Sequence, residues 1–209
     1  MSRFSSQLRS DLLDLMRWRR DVRHFRTDPV DEAVLQACLN SFLLAPSVGL
    51  SEPWRVLRLD SVAVRAAALA NFKTANAEAL AGYNGEKAAL YSQLKLSGME
   101  DAPVQLAIYC DEDTDKGSGL GAGSMPEMRR YSVVAAITQF WLLARSHDLG
   151  VGWVSILDPD QLARDLDVPE GWALVAYLCI GFPKADHDTP ELERAGWENR
   201  LGQLPVDIR

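Results

Sequence analysis

Three arginines surround one aspartate in a short run near the start of the chain. The run covers residues 19–25 and reads Arg-Arg-Asp-Val-Arg-His-Phe, directly after an amphipathic segment. A guanidinium is permanently charged and its donors match phosphate oxygens, so several of them close together are costly unless an anion neutralises them. The run therefore favours a bound phosphate. Two simpler interpretations stay open, because Asp21 could supply the anion and the run could be a solvated charged turn.

The spacing within this run also indicates how Asp21 could act. In an extended segment, alternate side chains point to the same side. Arg19, Asp21 and Arg23 would then share one side, and Arg20 would face the other. The flanking cations should hold the Asp21 carboxylate ionised, and such a carboxylate beside a ligand can serve as a general base. Alternatively, Asp21 only pairs with arginine and moves no proton.

The composition limits the partners and the compartment. A net charge of −7 over 209 residues argues against a nucleic-acid partner, because that affinity depends on basic surface. The odd number of cysteines (Cys38, Cys110 and Cys179), set far apart in apolar segments, indicates reduced core thiols. Three scattered histidines argue against a zinc site. The sequence has neither a signal peptide's apolar core nor a bilayer-length apolar stretch, so we expect a cytoplasmic protein without a membrane partner or bound metal.

Hydrophobic periodicity predicts one α+β domain in which helices outnumber strands. The helices are expected at 6–18, 31–44, 61–81, 86–96 and 129–149, with a short helix from 158. The strands are expected at 54–60, 104–110, 152–157 and 172–180, followed by an irregular tail from 183. Asp31 and Asp158 should cap their helices, and Gly150 should stop the long one. That long helix is apolar nearly all round, which is typical of a core centre or an oligomer interface.

A glycine-rich loop at 111–124 resembles a second phosphate site at first sight. It contains Gly-x-Gly-x-Gly from Gly117, but neither the Walker nor the Rossmann spacing. Four acidic residues at its start would repel a phosphate: Asp111, Glu112, Asp113 and Asp115. We therefore expect a mobile surface loop.

Three further motifs accompany the arginine run. They are Ala-Pro-Ser-Val-Gly at 45–49, Gly-Val-Gly-Trp-Val-Ser at 150–155 and Gly-Trp-Glu-Asn-Arg at 196–200. In this order and spacing they resemble the nitroreductase-like flavoproteins, and most closely the BluB-type 5,6-dimethylbenzimidazole synthases, or flavin destructases. The resemblance covers residues from about 12 to 202. Ordinary nitroreductases have serine where this chain has Asp21, which sets it apart from them.

The resemblance implies an architecture. It is an α+β, nitroreductase-like fold with a central mixed sheet flanked by helices around a long buried central helix. Residues 1–209 would form a single FMN-binding domain with a lid at about 72–98. The protein would be a homodimer that holds FMN at the subunit interface.

The resemblance also implies site residues. Asp21 and Ser155 match the two residues tied to flavin fragmentation, although Ser155 could be only a small residue at a tight strand end. The FMN contacts would be Arg19, Arg20, Asp21, Val22, Arg23, Ser47, Gly49, Lys87, Leu96, Ser155 and Arg200. The arginines would take the phosphate and the ribityl chain, and the turn at 47–49 would approach the ring. Lys87 and Leu96 would face the ring from the lid, although Lys87 could equally be an exposed helix charge.

The activity implied is oxygen-dependent fragmentation of reduced FMN to 5,6-dimethylbenzimidazole and erythrose 4-phosphate. FMNH2 would be consumed as a substrate with O2 as co-substrate, a separate flavin reductase would supply it, and the product would become the lower ligand of cobalamin. Alternatives are an NAD(P)H-dependent FMN nitroreductase or flavin reductase, an FMN-dependent dehalogenase-type enzyme and a non-catalytic flavin-binding protein. The first alternative needs an open flavin face, which a lid would cover.

Overall fold

The structure, a computed structural model, describes residues 3–209. Its helices are α1 (Ser6–Trp18), α2 (Glu32–Asn40), α3 (Val62–Ala81), α4 (Gly85–Gln93), α5 (Met128–Ser146), α6 (Pro159–Asp165) and α7 (Glu191–Arg194). Its strands are β1 (Trp54–Arg58), β2 (Val104–Asp111), β3 (Gly150–Val154) and β4 (Trp172–Gly181). The helix predicted at 31–44 divides into α2 and a 3-10 turn at Ser41–Leu44, and a second 3-10 turn covers Val48–Leu50. The α+β class is confirmed.

The four strands form one sheet in the order β1-β2-β4-β3. Every neighbouring pair runs antiparallel, so the strands do not make the mixed sheet that was expected. The parallel pairing is confined to one bridge, between Asp21 and Val151 at the edge of β3. The reason is local: the segment that follows α1 joins the sheet edge for only one residue pair and does not extend into a fifth strand.

The core lies on both faces of β2 and β4, because successive side chains of a strand point to opposite faces. Leu106 and Ile108 contribute to a cluster that includes Phe140 of α5. Ala107 and Tyr109 face the other way, into a cluster with α3, α6 and Phe25. The sheet therefore separates α5 from the α3–α6 layer, and the segment around Asp21 lies at the sheet's β3 edge.

The long helix α5 is buried on one face only. Ile137 and Phe140 are fully buried, whereas Tyr131 and Val134 on the other face are exposed in the single chain. α5 ends at Ser146 with Asp148 in the left-handed region (φ 61°), so the prediction of Gly150 as its stop was wrong. Gly150 instead begins β3, where a Cβ would press on the side chain of Val22.

The glycine-rich loop at 111–124 packs against the turn that follows α2. Gly49 and Gly117 both have positive φ (57° and 82°), and their main chains lie in contact, so neither position tolerates a side chain. Lys116 pairs with Glu52 beside this contact. The loop that was expected to be a mobile surface loop is therefore docked on a second turn.

Candidate active site

Asp21 is held by the main chain of β3. The Val22 N–H donates to the Val151 carbonyl at 3.1 Å, and the Trp153 N–H donates to Asp21 Oδ1 at 2.8 Å. Gly152 makes this approach possible, because a Cβ there would collide with the Val22 carbonyl. The Gly-Val-Gly-Trp motif thus places the carboxyl of Asp21 by backbone geometry.

Arg23 occupies the second oxygen of the carboxyl. Its Nε donates to Asp21 Oδ2 at 3.0 Å, and its Nη1 donates to the Lys95 carbonyl at 3.4 Å. The Arg23 side chain is only 13% exposed, and that of Asp21 is 34% exposed. Arg23 therefore joins the Asp21 carboxyl to the segment that follows α4.

Burial raises the pKa of Asp21 above its ordinary value, and the charge of Arg23 and the Trp153 N–H only partly oppose this. The flanking cations were expected to favour the ionised carboxylate, and in the direction of the pKa shift burial outweighs them. The pKa is raised because only one arginine is paired with the carboxyl, while the low-dielectric surroundings penalise the charged form. A carboxyl with a raised pKa can hold and release a proton closer to neutral pH.

The other two arginines of the run make different contacts, although the backbone is already extended at Arg19 (φ −71°, ψ 115°). The guanidinium of Arg19 lies 4.8 Å from the centre of the Trp141 ring. Arg20 donates through Nε to the Arg17 carbonyl at 3.1 Å. Burial, followed by the charges of Arg19 and Arg200, lowers the pKa of Arg20. Arg19 thus stacks on Trp141 while Arg23 pairs with Asp21, and a bound anion would relieve the repulsion at Arg20.

A cavity of about 300 Å³ opens between this segment, α5 and the tail after β4. Five basic side chains and three carboxylates line it: Arg20, Arg23, Arg145, Lys184 and Arg194, with Asp21, Asp186 and Glu191. Arg145 pairs with Asp186 at 2.9 Å, and His24 contacts Glu191 at 3.2 Å. The balance of charge in the cavity is therefore positive, which suits an anionic group.

Ser155 lies one residue beyond the end of β3 and is exposed. The strand predicted at 152–157 starts and ends earlier than expected, so Ser155 belongs to the loop that leads to α6. It follows Trp153, whose N–H binds Asp21, by two residues. The two candidate catalytic residues are thus attached to the same short stretch of chain.

The tail and the lid segment contact each other. Lys87 of α4 donates to the Trp197 carbonyl at 2.8 Å, and its ammonium lies 4.5 Å from the centre of the Trp197 ring. Tyr83 and Tyr91 also pack on Trp197, with ring centres 5.5 and 6.2 Å away. Arg200 donates to Glu193 at 3.0 Å. In the single chain, Lys87 therefore serves as a contact between α4 and the tail.

Ser47 and Gly49 lie far from Asp21 within one chain. Ser47 Oγ accepts from the Glu52 N–H at 3.1 Å, and the next residue's N–H donates to Ser132 Oγ at 3.0 Å. Ser132 precedes Trp141, which lines the cavity, by nine residues of α5, or about 14 Å along a helix. A single chain therefore does not unite this turn with the arginine run.

The sequence profile of the Nitroreductase family matches residues 16–182. The chain belongs to the nitroreductase family. It is 53% identical over 197 residues to a 5,6-dimethylbenzimidazole synthase of Rhodospirillum rubrum, covering 94% of this chain and 93% of that protein. It is 50% identical over 198 residues to one of Rhodobacter capsulatus, covering 95% and 96%. This similarity places the protein among the 5,6-dimethylbenzimidazole synthases of the family, and it is therefore an enzyme.

Solved structures share the fold at low identity. An iodotyrosine deiodinase bound to FMN and 3-iodo-L-tyrosine superposes with a TM-score of 0.73 at 18% identity, covering 95% of this chain and 97% of that one. An FMN complex of a nitroreductase from Exiguobacterium sibiricum gives 0.66 at 17%, with the same coverage. At these identities the comparison shows the fold alone, and it confirms the nitroreductase-like fold. Both neighbours contain FMN.

In this nitroreductase-family enzyme, a single chain brings together only some of the site residues that were predicted from the sequence. Asp21 and Val22 bind β3, Arg23 pairs with Asp21, Arg20 lies near Arg200, and Leu96 packs against the core cluster that contains Phe25. Several residues that line the cavity were not predicted as site residues: Trp141, Arg145, Lys184 and Arg194. The many charged residues directly after β4, at 184–194, could have indicated that this segment contributes to the site.

Among residues 3–209, no helix combines the length and apolar character that crossing a bilayer requires. Over the same residues, His, Cys, Asp and Glu side chains do not gather in groups of three or more that could hold a metal ion.

Proposed function

We propose that this enzyme binds reduced FMN and fragments it with O2 to 5,6-dimethylbenzimidazole and erythrose 4-phosphate. FMNH2 is then a substrate that is consumed, and the aromatic product supplies the lower ligand of cobalamin. The observation that carries the proposal is the Asp21 carboxyl, which main-chain contacts fix beside a cationic cavity and whose pKa burial raises. The resemblance to relatives named 5,6-dimethylbenzimidazole synthase supports the same activity.

The cavity residues fit the phosphate end of FMN. Arg20 and Lys184 offer positive charge. The pKa of Arg20 is lowered first by burial and then by crowding with the cations Arg19 and Arg200, whose charges a phosphate would neutralise. Arg200 lies close enough to Arg20 to add to that crowding, so the tail contributes to the same site. When bound, the reduced flavin would supply the electrons for the reaction with O2.

The chain's own residues would handle protons and exclude water. Asp21 would accept or deliver a proton at its carboxyl, which the Trp153 N–H and Arg23 orient. Ser155, exposed at the end of β3, would offer a hydroxyl close to the same stretch of chain. We take residues 1–209 as one domain in which residues 72–98 act as the lid, and closure of such a lid keeps water from the reacting groups.

We also propose that the enzyme is a homodimer. In the single chain, none of the thirteen described residues of α1 is buried. Four of them are exposed apolar side chains: Leu8, Leu12, Leu13 and Met16. The outer face of α5 is exposed as well. A second copy would cover these faces. It would also let the Ser47–Gly49 turn of one subunit complete the site of the other.

A separate NAD(P)H-dependent flavin reductase would supply the FMNH2. A lid that covers the flavin leaves no open face for a nicotinamide, so reduction would occur before binding. This arrangement predicts that NAD(P)H alone does not drive the reaction.

One experiment tests the proposed function. The purified protein is mixed with excess chemically reduced FMN without oxygen, air is admitted, and flavin and small aromatic products are followed by chromatography. Loss of flavin with an equal amount of 5,6-dimethylbenzimidazole is the expected result. Oxidised FMN returned intact, with NAD(P)H consumed in a parallel assay, would instead support a nitroreductase. Flavin that stays bound and unchanged would support a binding protein.

A further inference from the structure

Asn71 is a buried polar side chain near the middle of α3, and it makes both of its amide contacts with one distant residue. Its Nδ2 donates to the Asp158 carbonyl at 2.9 Å, and its Oδ1 accepts from the Asp158 N–H at 2.8 Å. The two residues are 87 positions apart, and Asn71 is 8% exposed. The amide therefore acts as a two-point clamp on the main chain of Asp158.

An asparagine is unfavourable inside a helix, so its presence in the middle of α3 needs a reason. Asparagine is a weak helix former, because its side chain competes for backbone hydrogen bonds. Asn71 lies inside the twenty-residue helix α3, far from either end, and Ala67, Ala68 and Ala70 precede it. An alanine would suit that stretch better for helix formation alone. The contact with Asp158 is what the asparagine provides.

The clamp fixes one end of the segment that carries Ser155. At the other end, the Trp153 N–H donates to Asp21 Oδ1 at 2.8 Å. Residues 153–158 are therefore attached at Trp153 to the candidate proton carrier and at Asp158 to α3. The Asp158 side chain caps α6 through the N–H groups of Asp160 and Gln161. Ser155 lies exposed between these two attachments.

We propose that Asn71 is a positioning residue that holds the 153–158 segment so that the Ser155 hydroxyl lies next to the reacting flavin. The proposal rests on the proposed function, in which Ser155 takes part in fragmentation. Asn71 also directly precedes the proposed lid at 72–98, so the clamp joins the root of the lid to the Ser155 segment. Asn71 itself touches neither the cavity lining nor Asp21.

Hydrogen exchange tests the clamp without any flavin. In Asn71→Ala, which favours the helix and keeps α3 intact, the Asp158 amide should exchange about tenfold faster, because it loses a hydrogen bond. The amides of β4 should be unchanged. Asn71→Asp keeps the acceptor for the Asp158 N–H and should show a smaller change. Thr74→Ala, one turn further along α3, is the matched control. Unchanged exchange at 155–158 in Asn71→Ala would overturn the proposal.

A double-mutant cycle tests the link to Ser155. Asn71→Ala should lower the rate of product formation about tenfold, with FMN affinity unchanged, because the hydroxyl is misplaced. In a Ser155→Ala background the same change should have little further effect, since the group it positions is absent. An equal loss in both backgrounds would refute a positioning role, as would a fully active Ser155→Ala. If the wild-type protein returns flavin intact, the proposed function fails, and the exchange measurement still decides whether Asn71 holds the segment.

Discussion

The floor of the candidate site and its lid are built in different ways. The floor consists of Asp21, Arg23 and residues 151–153, and backbone hydrogen bonds hold it against the sheet edge. The lid helix α4 is held by side chains, chiefly by the contacts of the exposed Lys87 and the buried Tyr91 with the partly buried Trp197. A floor fixed by main chain is preorganised for chemistry, whereas a few side-chain contacts outside the core open at lower cost.

The lid is nevertheless fixed at both of its ends, which we call its roots. At its start, Asn71 clamps Asp158. At its end, Gln105 Nε2 donates to the Met99 carbonyl at 2.7 Å, and Gln105 Oε1 accepts from the Tyr177 hydroxyl at 2.5 Å. Motion of the lid is therefore expected in α4, between these two fixed points.

The largest effect is expected in the floor. Asp21→Asn should lower the rate of dimethylbenzimidazole formation at least about a hundredfold, because the amide cannot exchange a proton as a carboxyl does. FMN affinity, measured by quenching of flavin fluorescence, should change little, since Arg20 and Lys184 remain. Asp28→Asn is the matched control, because Asp28 also pairs with an arginine two residues away but is exposed. Wild-type product yield from Asp21→Asn would remove Asp21 from the mechanism.

The features that could be predicted from the sequence are those that depend on neighbouring residues. The caps at Asp31 and Asp158 and the element order as far as β4 were predicted correctly, because capping and periodicity are properties of neighbouring residues. The short helix α7 lies in the tail that was predicted to be irregular. The direction of the Asp21 pKa shift was not predicted, since it depends on how deeply a distant strand buries the carboxyl. The Asn71 clamp was missed for the same reason: its partner lies 87 residues away.

The second largest effect is expected at the lid root. Gln105→Ala should lower the free energy of unfolding by about 1–3 kcal/mol, because it leaves the buried Met99 carbonyl and Tyr177 hydroxyl without their partner. Urea denaturation measures the change. Gln36→Ala, which removes an exposed glutamine that donates to Asn40 of the same helix, should cost much less. Equal losses in the two variants would show that the root is no firmer than the surface.

A smaller, local effect is expected in the lid itself. Trp197→Leu should speed amide exchange in α4, because both tyrosine contacts and the Lys87 cation–π contact are lost. The global free energy of unfolding should change by less than about 1 kcal/mol, since neither Tyr91 nor Trp197 belongs to the two core clusters on the sheet. Lys87→Gln, which removes only the cation, should have a weaker effect. Exchange in α4 that stays at the wild-type rate in Trp197→Leu would contradict the idea of a tail-held lid.

The smallest effect is the pH dependence that the floor imposes on stability. Burial raises the pKa of Asp21 above 3.8, so between that value and the raised pKa the folded state binds more protons than the unfolded state. Stability from this group is therefore fully present below pH 3.8 and is lost as pH rises through the raised pKa. Asp21→Asn cannot lose a proton, and its stability curve should lack this decline. We expect the difference in unfolding free energy, wild type minus variant, to fall as pH rises through that window. A difference that rises instead would mean that the charge of Arg23 outweighs burial, and the floor would then hold an ionised carboxylate.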